Sequence, residues 1–177
     1  MNRRLCLWCV TGLLVLGATL RAAETLRIVP LVNGDEVLVS FVLADAYTRE
    51  VREAISSGLR TTFTYDVELR MVGSLWMDRT ISAIVVSASD RYDNLTRRHI
   101  LSRTVNGRVE ESSVTEDESV VGQWLTTFTR VPLCRTSALD SSRDYYVRIS
   151  ARSRPQGGSL LGWTNAITGR AKFTFIP

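Results

Sequence analysis

The segment LRTTFTYDVELRMV, residues 59–72, constrains the fold more than any other segment because apolar and polar residues alternate along it. The apolar positions are Phe63, Tyr65, Val67, Leu69 and Met71. Successive side chains of a β-strand point to opposite faces of the sheet. The alternation therefore predicts a strand with one face against a core and the other face in solvent.

Further strand-like segments follow one another with turn signals between them. TLRIVPLV and EVLVSFVL flank Asn33-Gly34, a dipeptide that favours tight turns, and so they predict an opening hairpin. RTISAIVVSAS, residues 79–89, is almost continuously apolar. This composition predicts a strand that is buried on both faces or lies near an end of the core. DYYVRISAR and AKFTFIP show the alternation again.

Two segments have the period of an α-helix. DAYTREVREAISSGL repeats apolar residues at helical spacing, and its Gly58 can adopt the left-handed conformation that ends a helix. TEDESVVGQWLTTF carries an apolar stripe that runs to Phe128. Thr115 followed by Glu118 predicts a capping box at the start of this second helix.

Together these patterns predict a mostly β fold. We expect an antiparallel β-sandwich or partial barrel of about seven or eight strands with two short helices. The helices would cover an open face or an end of the sheets. A helix-grip α+β fold, in which one long helix lies in a curved sheet, is the alternative.

The N-terminal residues predict export. MNRR places two arginines before LCLWCVTGLLVLGATL, an apolar run of 16 residues, and RAAE follows with small residues. This order is typical of a secretory signal peptide, and the run is shorter than the roughly 20 residues that span a bilayer comfortably. We therefore expect a signal peptide at residues 1–22, a single β-rich domain at residues 23–177 and a periplasmic location. An uncleaved signal that anchors the protein to the inner membrane is the alternative.

The charge of the predicted mature chain argues against nucleic-acid binding. The sequence has a formal net charge of +4, from 22 basic and 18 acidic residues. Arg3, Arg4 and Arg21 belong to the predicted signal peptide, so 19 basic residues remain and the net charge falls to about +1. Cys134 is then the single thiol, which excludes an internal disulfide. We expect the hydrophobic core to stabilise the domain.

The basic stretch RYDNLTRRHILSRTVNGRVEE, residues 91–111, contains His99, the only histidine of the sequence. No H-x-x-H, C-x-x-C or histidine–carboxylate pattern accompanies it, so the spacing does not indicate a metal site. No G-x-S-x-G or cysteine-protease context indicates nucleophilic catalysis. We interpret His99 as a strand residue near a sheet edge that shares a face with Leu101. We expect no catalytic residue, no metal and no cofactor.

Asn106-Gly107 in the same stretch is the strongest hairpin signal of the sequence and favours a two-residue type I′ turn. With these two residues as the loop, Arg103 lies opposite Glu110 and forms a cross-strand pair of opposite charge. Upstream, the DRYDN segment predicts a turn in which Asp93 or Asn94 bonds its own backbone.

Several ordered motifs resemble a bacterial family of domains of unknown function, numbered 4390. The motifs are SGLRTTFTYDVELR, LWMDRTI, YDNLTRRHILSRTVNG and the terminal FTFIP. The resemblance covers most of the predicted mature chain and implies an exported bacterial protein. It implies no catalytic or binding residue, because the family has no established activity. Family members often have tyrosine at the position of His99, which implies that this position does not demand a titratable group.

These observations predict a non-enzymatic exported envelope protein, a protein-binding or scaffold module in the periplasm. Its partner would be an envelope protein or a membrane-associated component, with a lipid as a further option and no nucleic acid. The candidate interaction surface comprises Arg97, Arg98, Arg103, Leu160, Leu161 and Trp163. The alternative is a carrier of an apolar ligand or lipid within a curled β-sheet. Its cavity would be lined by Phe63, Tyr65, Val85, Tyr145 and Val147.

Overall fold

The structure is a computed structural model that describes residues 25–73, 77–155 and 166–175. Within these ranges the chain forms nine β-strands and two α-helices. The strands are β1 (Thr25–Asn33), β2 (Glu36–Ala44), β3 (Thr61–Met71), β4 (Arg79–Asp93), β5 (Arg98–Val105), β6 (Arg108–Thr115), β7 (Thr127–Arg135), β8 (Asp144–Pro155) and β9 (Ile167–Thr174), and the helices are α1 (Arg49–Ser56) and α2 (Glu118–Thr126). The predicted signal peptide at residues 1–22 lies outside the described ranges.

The strands form two antiparallel sheets. One sheet has the order β1-β2-β7, and the other has the order β6-β5-β4-β3-β8-β9. The predicted mostly β, sandwich-like fold is confirmed, and the described strands do not form a closed barrel. The helices α1 and α2 have eight and nine residues, so neither of them is the long helix of the helix-grip alternative.

β3 lies in the middle of the six-stranded sheet and confirms the alternation from which it was predicted. Its fully buried inner-face side chains are Phe63, Tyr65, Val67 and Leu69. The ring centroid of Tyr65 lies 5.0 Å from that of Phe41 on β2 and 5.1 Å from that of Phe128 on β7. These contacts join the two sheets, because β3 belongs to one sheet and β2 and β7 to the other.

The first and last described strands close one side of the sandwich. β1 packs against β9, although the two strands belong to different sheets. A Cβ atom added to Gly169 of β9 would lie 3.1 Å from Cδ2 of Leu26 and 3.2 Å from Cδ1 of Ile28 on β1. The missing side chain of Gly169 therefore permits the close approach of the two strands.

β4 is buried on one face only. Val86, Ala88 and Asp90 are buried on its inner face, whereas Val85 on the outer face is 42% exposed. Of the two alternatives predicted for this apolar segment, burial on both faces is wrong, because the six-stranded sheet exposes its outer face to solvent at Val85. The segment alternates like a half-buried antiparallel strand despite its apolar composition.

The opening hairpin is confirmed, with its loop one residue later than predicted. Asn33 pairs with Glu36 at the end of the ladder, so the loop is Gly34–Asp35 rather than Asn33-Gly34. Gly34 has a φ of 62°, a conformation that glycine adopts without a steric penalty.

The β5–β6 hairpin has the predicted two-residue loop. Asn106 and Gly107 have φ values of 49° and 80°, as a type I′ turn requires. Beyond the turn, a shift in register places Arg103 opposite Glu111 rather than the predicted Glu110. A β-bulge at Glu110 is the physical reason, since it inserts one extra residue into β6.

α1 agrees with its prediction. The side chain of Thr48 accepts a hydrogen bond from the backbone N–H of Val51 and caps the first turn. Val51 and Ile55 face the core, and Gly58 ends the helix with a φ of 85°. No helix among the described residues is long and apolar enough to span a bilayer.

α2 differs from its prediction at both ends. Its cap is Asp117, whose side chain accepts from the backbone N–H of Ser119, whereas Thr115 Oγ1 accepts from the N–H of Asp117. The predicted Thr115–Glu118 capping box is therefore wrong. Phe128 lies on β7, which begins directly after the helix. The apolar stripe assigned to one helix thus belongs to a helix and a strand that follow each other without a loop.

Candidate functional site

His99 is paired with a buried carboxylate. Its Nδ1 lies 2.8 Å from Oδ2 of Asp90, whose side chain is fully buried, while His99 as a whole is 8% exposed. In the β4–β5 ladder Asp90 lies opposite Leu101 and Tyr92 lies opposite His99. Asp90 and His99 are therefore diagonal neighbours on the inner face of the six-stranded sheet.

The ring of His99 is held in a defined orientation. An ionised carboxylate only accepts hydrogen bonds, so Asp90 in this form accepts from Nδ1–H of His99. The other ring nitrogen, Nε2, takes no part in this bond. The ring of Tyr92 lies against the imidazole, with centroids 4.7 Å apart and planes inclined by 46°. His99 also lines a surface cleft, and its Nε2 has no hydrogen-bond partner among the described residues.

The cleft at His99 has a volume of about 400 Å³ and lies between α1, the β4–β5 turn and the segment that leads into α2. Tyr47, Ile55, Ser56 and Tyr92 line its walls together with His99. The charged side chains that line it are Arg49, Arg52, Arg97, Glu53, Glu116 and Glu118. A cleft of this size accommodates a small molecule or one functional group of a larger ligand.

Most charges around the cleft form ion pairs with one another. Arg49 Nε lies 3.5 Å from Glu53 Oε1, and Arg52 Nε lies 3.7 Å from Glu118 Oε1. Glu116 is bound from outside the cleft by Arg98, at 2.9 Å. These pairs are solvent-exposed, and each contributes little to stability.

Arg97 is different from the other cleft arginines. It occupies the last position of the four-residue turn between β4 and β5 and has a φ of 57°. Within the described residues it makes no ion pair and no side-chain hydrogen bond. A non-glycine residue in this left-handed region is uncommon and is worth attention near a cleft.

Burial changes the acidity of two groups near the cleft. Burial raises the pKa of the Asp90 carboxyl, and the hydrogen bond from His99 opposes this change without cancelling it. Burial, followed by the charge of Glu118, also raises the pKa of the Tyr47 hydroxyl, so Tyr47 is uncharged at neutral pH.

The chemistry of the cleft depends on His99 and on the side chains beside it. An imidazole fixed by a carboxylate can accept or donate a proton at Nε2, and a serine nucleophile activated by it would have to lie within hydrogen-bond reach of Nε2. The hydroxyl of Ser56, which lines the cleft, donates instead to the carbonyl of Glu53 at 3.1 Å. In the part of the chain that the structure describes, no group of three or more His, Cys, Asp or Glu side chains is placed to hold a metal ion.

The arginines predicted as an interaction surface have three different environments. Arg97 lines the cleft, and Arg98 is exposed and paired with Glu116. Arg103 turns towards the core, where its Nη2 donates to the carbonyls of Trp124 at 2.9 Å and Thr127 at 2.7 Å. The other predicted surface residues, Leu160, Leu161 and Trp163, lie outside the described residues.

The residues of the predicted carrier cavity do not share one surface. Phe63, Tyr65, Tyr145 and Val147 are each at most 1% exposed and lie within the packed core cluster. Val85 is on the opposite, exposed face of the sheet.

β6 is a second notable feature of this end of the molecule. It is one of the two terminal strands of the six-stranded sheet, and all but the last of its eight residues are exposed. Val109 and Val114 are 60% and 59% exposed. Val109 lies opposite Thr104 and Val114 opposite Ile100. The bulge at Glu110 places both valines on the outer face of the sheet.

Comparison with known families places this geometry in context. A family model described as Domain of unknown function (DUF4390) matches residues 22–157. The chain belongs to the DUF4390 family. The predicted resemblance is thereby confirmed, and the matched range includes both the His99 cleft and β6. No curated protein and no solved structure matches the chain.

Asp90 is the site residue that sequence reasoning missed. Nine positions separate it from His99, so no short motif joins the two residues. The available signal was the turn after Asp93, whose carboxylate accepts from the backbone N–H of Leu95 at 2.9 Å, as predicted for this turn. With the turn at residues 94–97, Asp93 pairs with Arg98, and the ladder then brings Asp90 next to His99.

Proposed function

We propose that this protein is a non-enzymatic, exported envelope protein that binds another protein by adding an extended segment of it to the free edge of β6. The observation that carries the proposal is the exposure of β6, a terminal strand of eight residues with seven of them exposed. A terminal strand presents a row of unpaired backbone N–H and C=O groups, which an extended peptide can pair with. The periplasmic location rests on the predicted signal peptide.

Comparison with the other terminal strands supports the choice of β6. β1 and β9 end their sheets but pack against each other. β7 ends the three-stranded sheet and packs against β4, and Ser82 of β4 donates to the carbonyl of Leu133 on β7 at 2.6 Å. Among the described residues, β6 contacts mainly β5 and the start of α2. Among the described strands, β6 is therefore the one whose outer edge remains uncovered.

The side chains of β6 suggest the chemistry of the partner segment. Its first half carries Arg108, Glu110 and Glu111, and the bulge at Glu110 hinders non-specific pairing there. Its second half, Ser112–Thr115, carries no charge. A partner strand with apolar residues at alternate positions would bury Val109 and Val114 on the outer face of an extended sheet.

Site-specific crosslinking in cells tests the proposal. A photoreactive amino acid is placed at Val114, and the same amino acid at Val85, an exposed valine of the same sheet face, serves as the matched control. We expect one crosslinked protein at Val114 and none at Val85. The purified partner should then protect the β6 amides from hydrogen exchange, and Val109→Lys should abolish binding while Val85→Lys leaves it unchanged.

Two outcomes would contradict the proposal. Crosslinks of equal yield and identity at Val85 and Val114 would mean that the whole outer face, not the β6 edge, makes the contact. A partner that binds without protecting any β6 amide would mean that the interaction does not add a strand to the sheet.

A further inference from the structure

We propose that the cleft at His99 is a binding site for an oxyanion, a carboxylate or phosphate group of a small ligand, held by the Nε2–H of His99 and the guanidinium of Arg97. Both side chains line the same cleft of about 400 Å³. The proposal does not depend on the edge of β6, because no residue of β6 is among those that line the cleft.

His99 would bind the anion through a proton on Nε2. Asp90 accepts from Nδ1, and its side chain is fully buried, so the imidazole is the side chain that can neutralise a negative charge there. An anion at Nε2 would favour the doubly protonated ring from the other side. The imidazolium would then lie between two negative groups, with a donor directed at each. When the ring carries both protons, each of its N–H groups donates, so this form of His99 binds an anion and not a cation.

Arg97 would supply the positive charge of the site. The neighbouring arginines Arg49, Arg52 and Arg98 each lie within 4 Å of a glutamate carboxylate. Arg97 makes no such pair among the described residues, although its turn places it on the cleft. A guanidinium offers parallel N–H donors that match a carboxylate or a phosphate. Arg97 is thus the available cation of the cleft, and His99 supplies the second donor.

Three glutamates also face the cleft. Glu53, Glu116 and Glu118 would repel an anion if they were unpaired, but each is bound by an arginine. The two pairs of α1 and α2 are long, at 3.5 and 3.7 Å. Both pairs still neutralise their glutamates, so we assign Arg49 and Arg52 to Glu53 and Glu118 and not to the anion.

The experiment uses the single histidine as its own reporter. Because His99 is the only histidine of the sequence, its ring signals in a proton NMR spectrum of the full-length protein need no assignment by mutation. Inorganic phosphate and acetate are titrated separately at pH 6, with chloride at the same ionic strength as the control. We expect saturable shifts of the His99 signals towards those of the charged ring.

Two variants separate the site from general charge effects. Arg97→Asn removes the cation but keeps a residue that tolerates positive φ, and it should weaken anion binding about tenfold or more. Arg91→Gln removes an exposed arginine of β4 whose side chain is on the sheet face opposite to that of Asp90, and it should leave binding unchanged within about twofold. Both positions are exposed, so both variants should fold.

Each outcome decides the proposal. Saturable shifts with phosphate alone or with acetate alone support the site and identify the oxyanion, and shifts with both support a general oxyanion site. The proposal is overturned if chloride produces the same shifts, if neither oxyanion saturates by about 50 mM, or if Arg91→Gln weakens binding as much as Arg97→Asn does.

Discussion

Replacement of Arg103 by methionine should destabilise the protein by about 3 kcal/mol. The Nη2 group of Arg103 donates to the carbonyls of Trp124 and Thr127, at the junction of α2 and β7. A hydrogen bond from a charged donor contributes roughly 1.5–3 kcal/mol, and a buried carbonyl that loses its donor costs a comparable amount. The guanidinium carbon also lies 4.3 Å from the Trp124 ring centroid and 4.7 Å from that of Phe128, which adds about 0.5–2 kcal/mol.

The ion pair of Arg103 with Glu111 changes this value little. Glu111 is exposed and the two groups are 3.4 Å apart, so the pair contributes at most about 1 kcal/mol. Methionine keeps much of the apolar contact with the two rings, because its side chain is long and flexible. The expected loss therefore comes mainly from the two carbonyl groups.

Urea unfolding followed by tryptophan fluorescence and circular dichroism measures the effect. The matched control is Arg148→Met, since Arg148 binds Glu68 at 2.8 Å on the more exposed outer face of the same sheet. The control should cost about 1 kcal/mol or less. If Arg103→Met came within about 0.5 kcal/mol of this control with an unchanged m-value, Arg103 would not be the internal support that we describe.

Three further predictions concern the core, the seam between the sheets and the buried carboxyl. Tyr65→Phe removes the hydroxyl that donates to the buried Leu125 carbonyl at 2.7 Å and should cost about 1–3 kcal/mol in urea unfolding. Gly169→Val should force β1 away from β9 and cost about 1–3 kcal/mol in thermal unfolding. Burial raises the pKa of the Asp90 carboxyl, so folding favours the protonated form of this group. The stability that the Asp90 carboxyl contributes is complete below its unfolded pKa of about 3.9 and is lost as the pH rises through its folded pKa. Asp90→Asn does not titrate, so its stability relative to the wild type should increase from pH 4 to pH 7 in urea unfolding.

Each of these predictions has a control or a contradicting result. Tyr146→Phe loses a hydroxyl bond to the exposed Asp78 carboxylate and should cost less than Tyr65→Phe, because water can replace that bond. Thr168→Val, on the exposed face next to Gly169, should change stability by at most about 0.5 kcal/mol. For Asp90, a stability difference that decreased between pH 4 and pH 7 would contradict the stated direction.

The sheets could be predicted where local pattern and burial agree. The alternation from Phe63 to Leu69 identified β3, and the Asn106-Gly107 dipeptide identified the β5–β6 hairpin, since each pattern permits few backbone conformations. β7 was not predicted. Its residues follow α2 without a loop, and Phe128 continues the helical spacing by coincidence. Hydrophobic periodicity alone does not separate a helix from a strand that begins at the next residue.

The candidate site was harder to predict, because it depends on register. Alternation along β5 correctly placed His99 and Leu101 on one face, and the same alternation includes Arg103. Its guanidinium nevertheless suggested a surface position, since arginine is mostly exposed in proteins. Only the three-dimensional arrangement shows the carbonyls that accept from it. The pairing of His99 with Asp90 likewise depends on the length of one four-residue turn.

The contact between β1 and β9 affects the order in which the chain folds. The two strands are the first and the last that the structure describes, so the side of the sandwich that they close depends on a contact between distant parts of the chain. Such distant contacts form slowly, because a long loop must be closed before they contribute any energy. Because the ribosome makes the chain from its N-terminus, the inner face of β1, with Leu26 and Ile28, stays uncovered until β9 has been synthesised. During that interval a chaperone could bind β1 in place of β9.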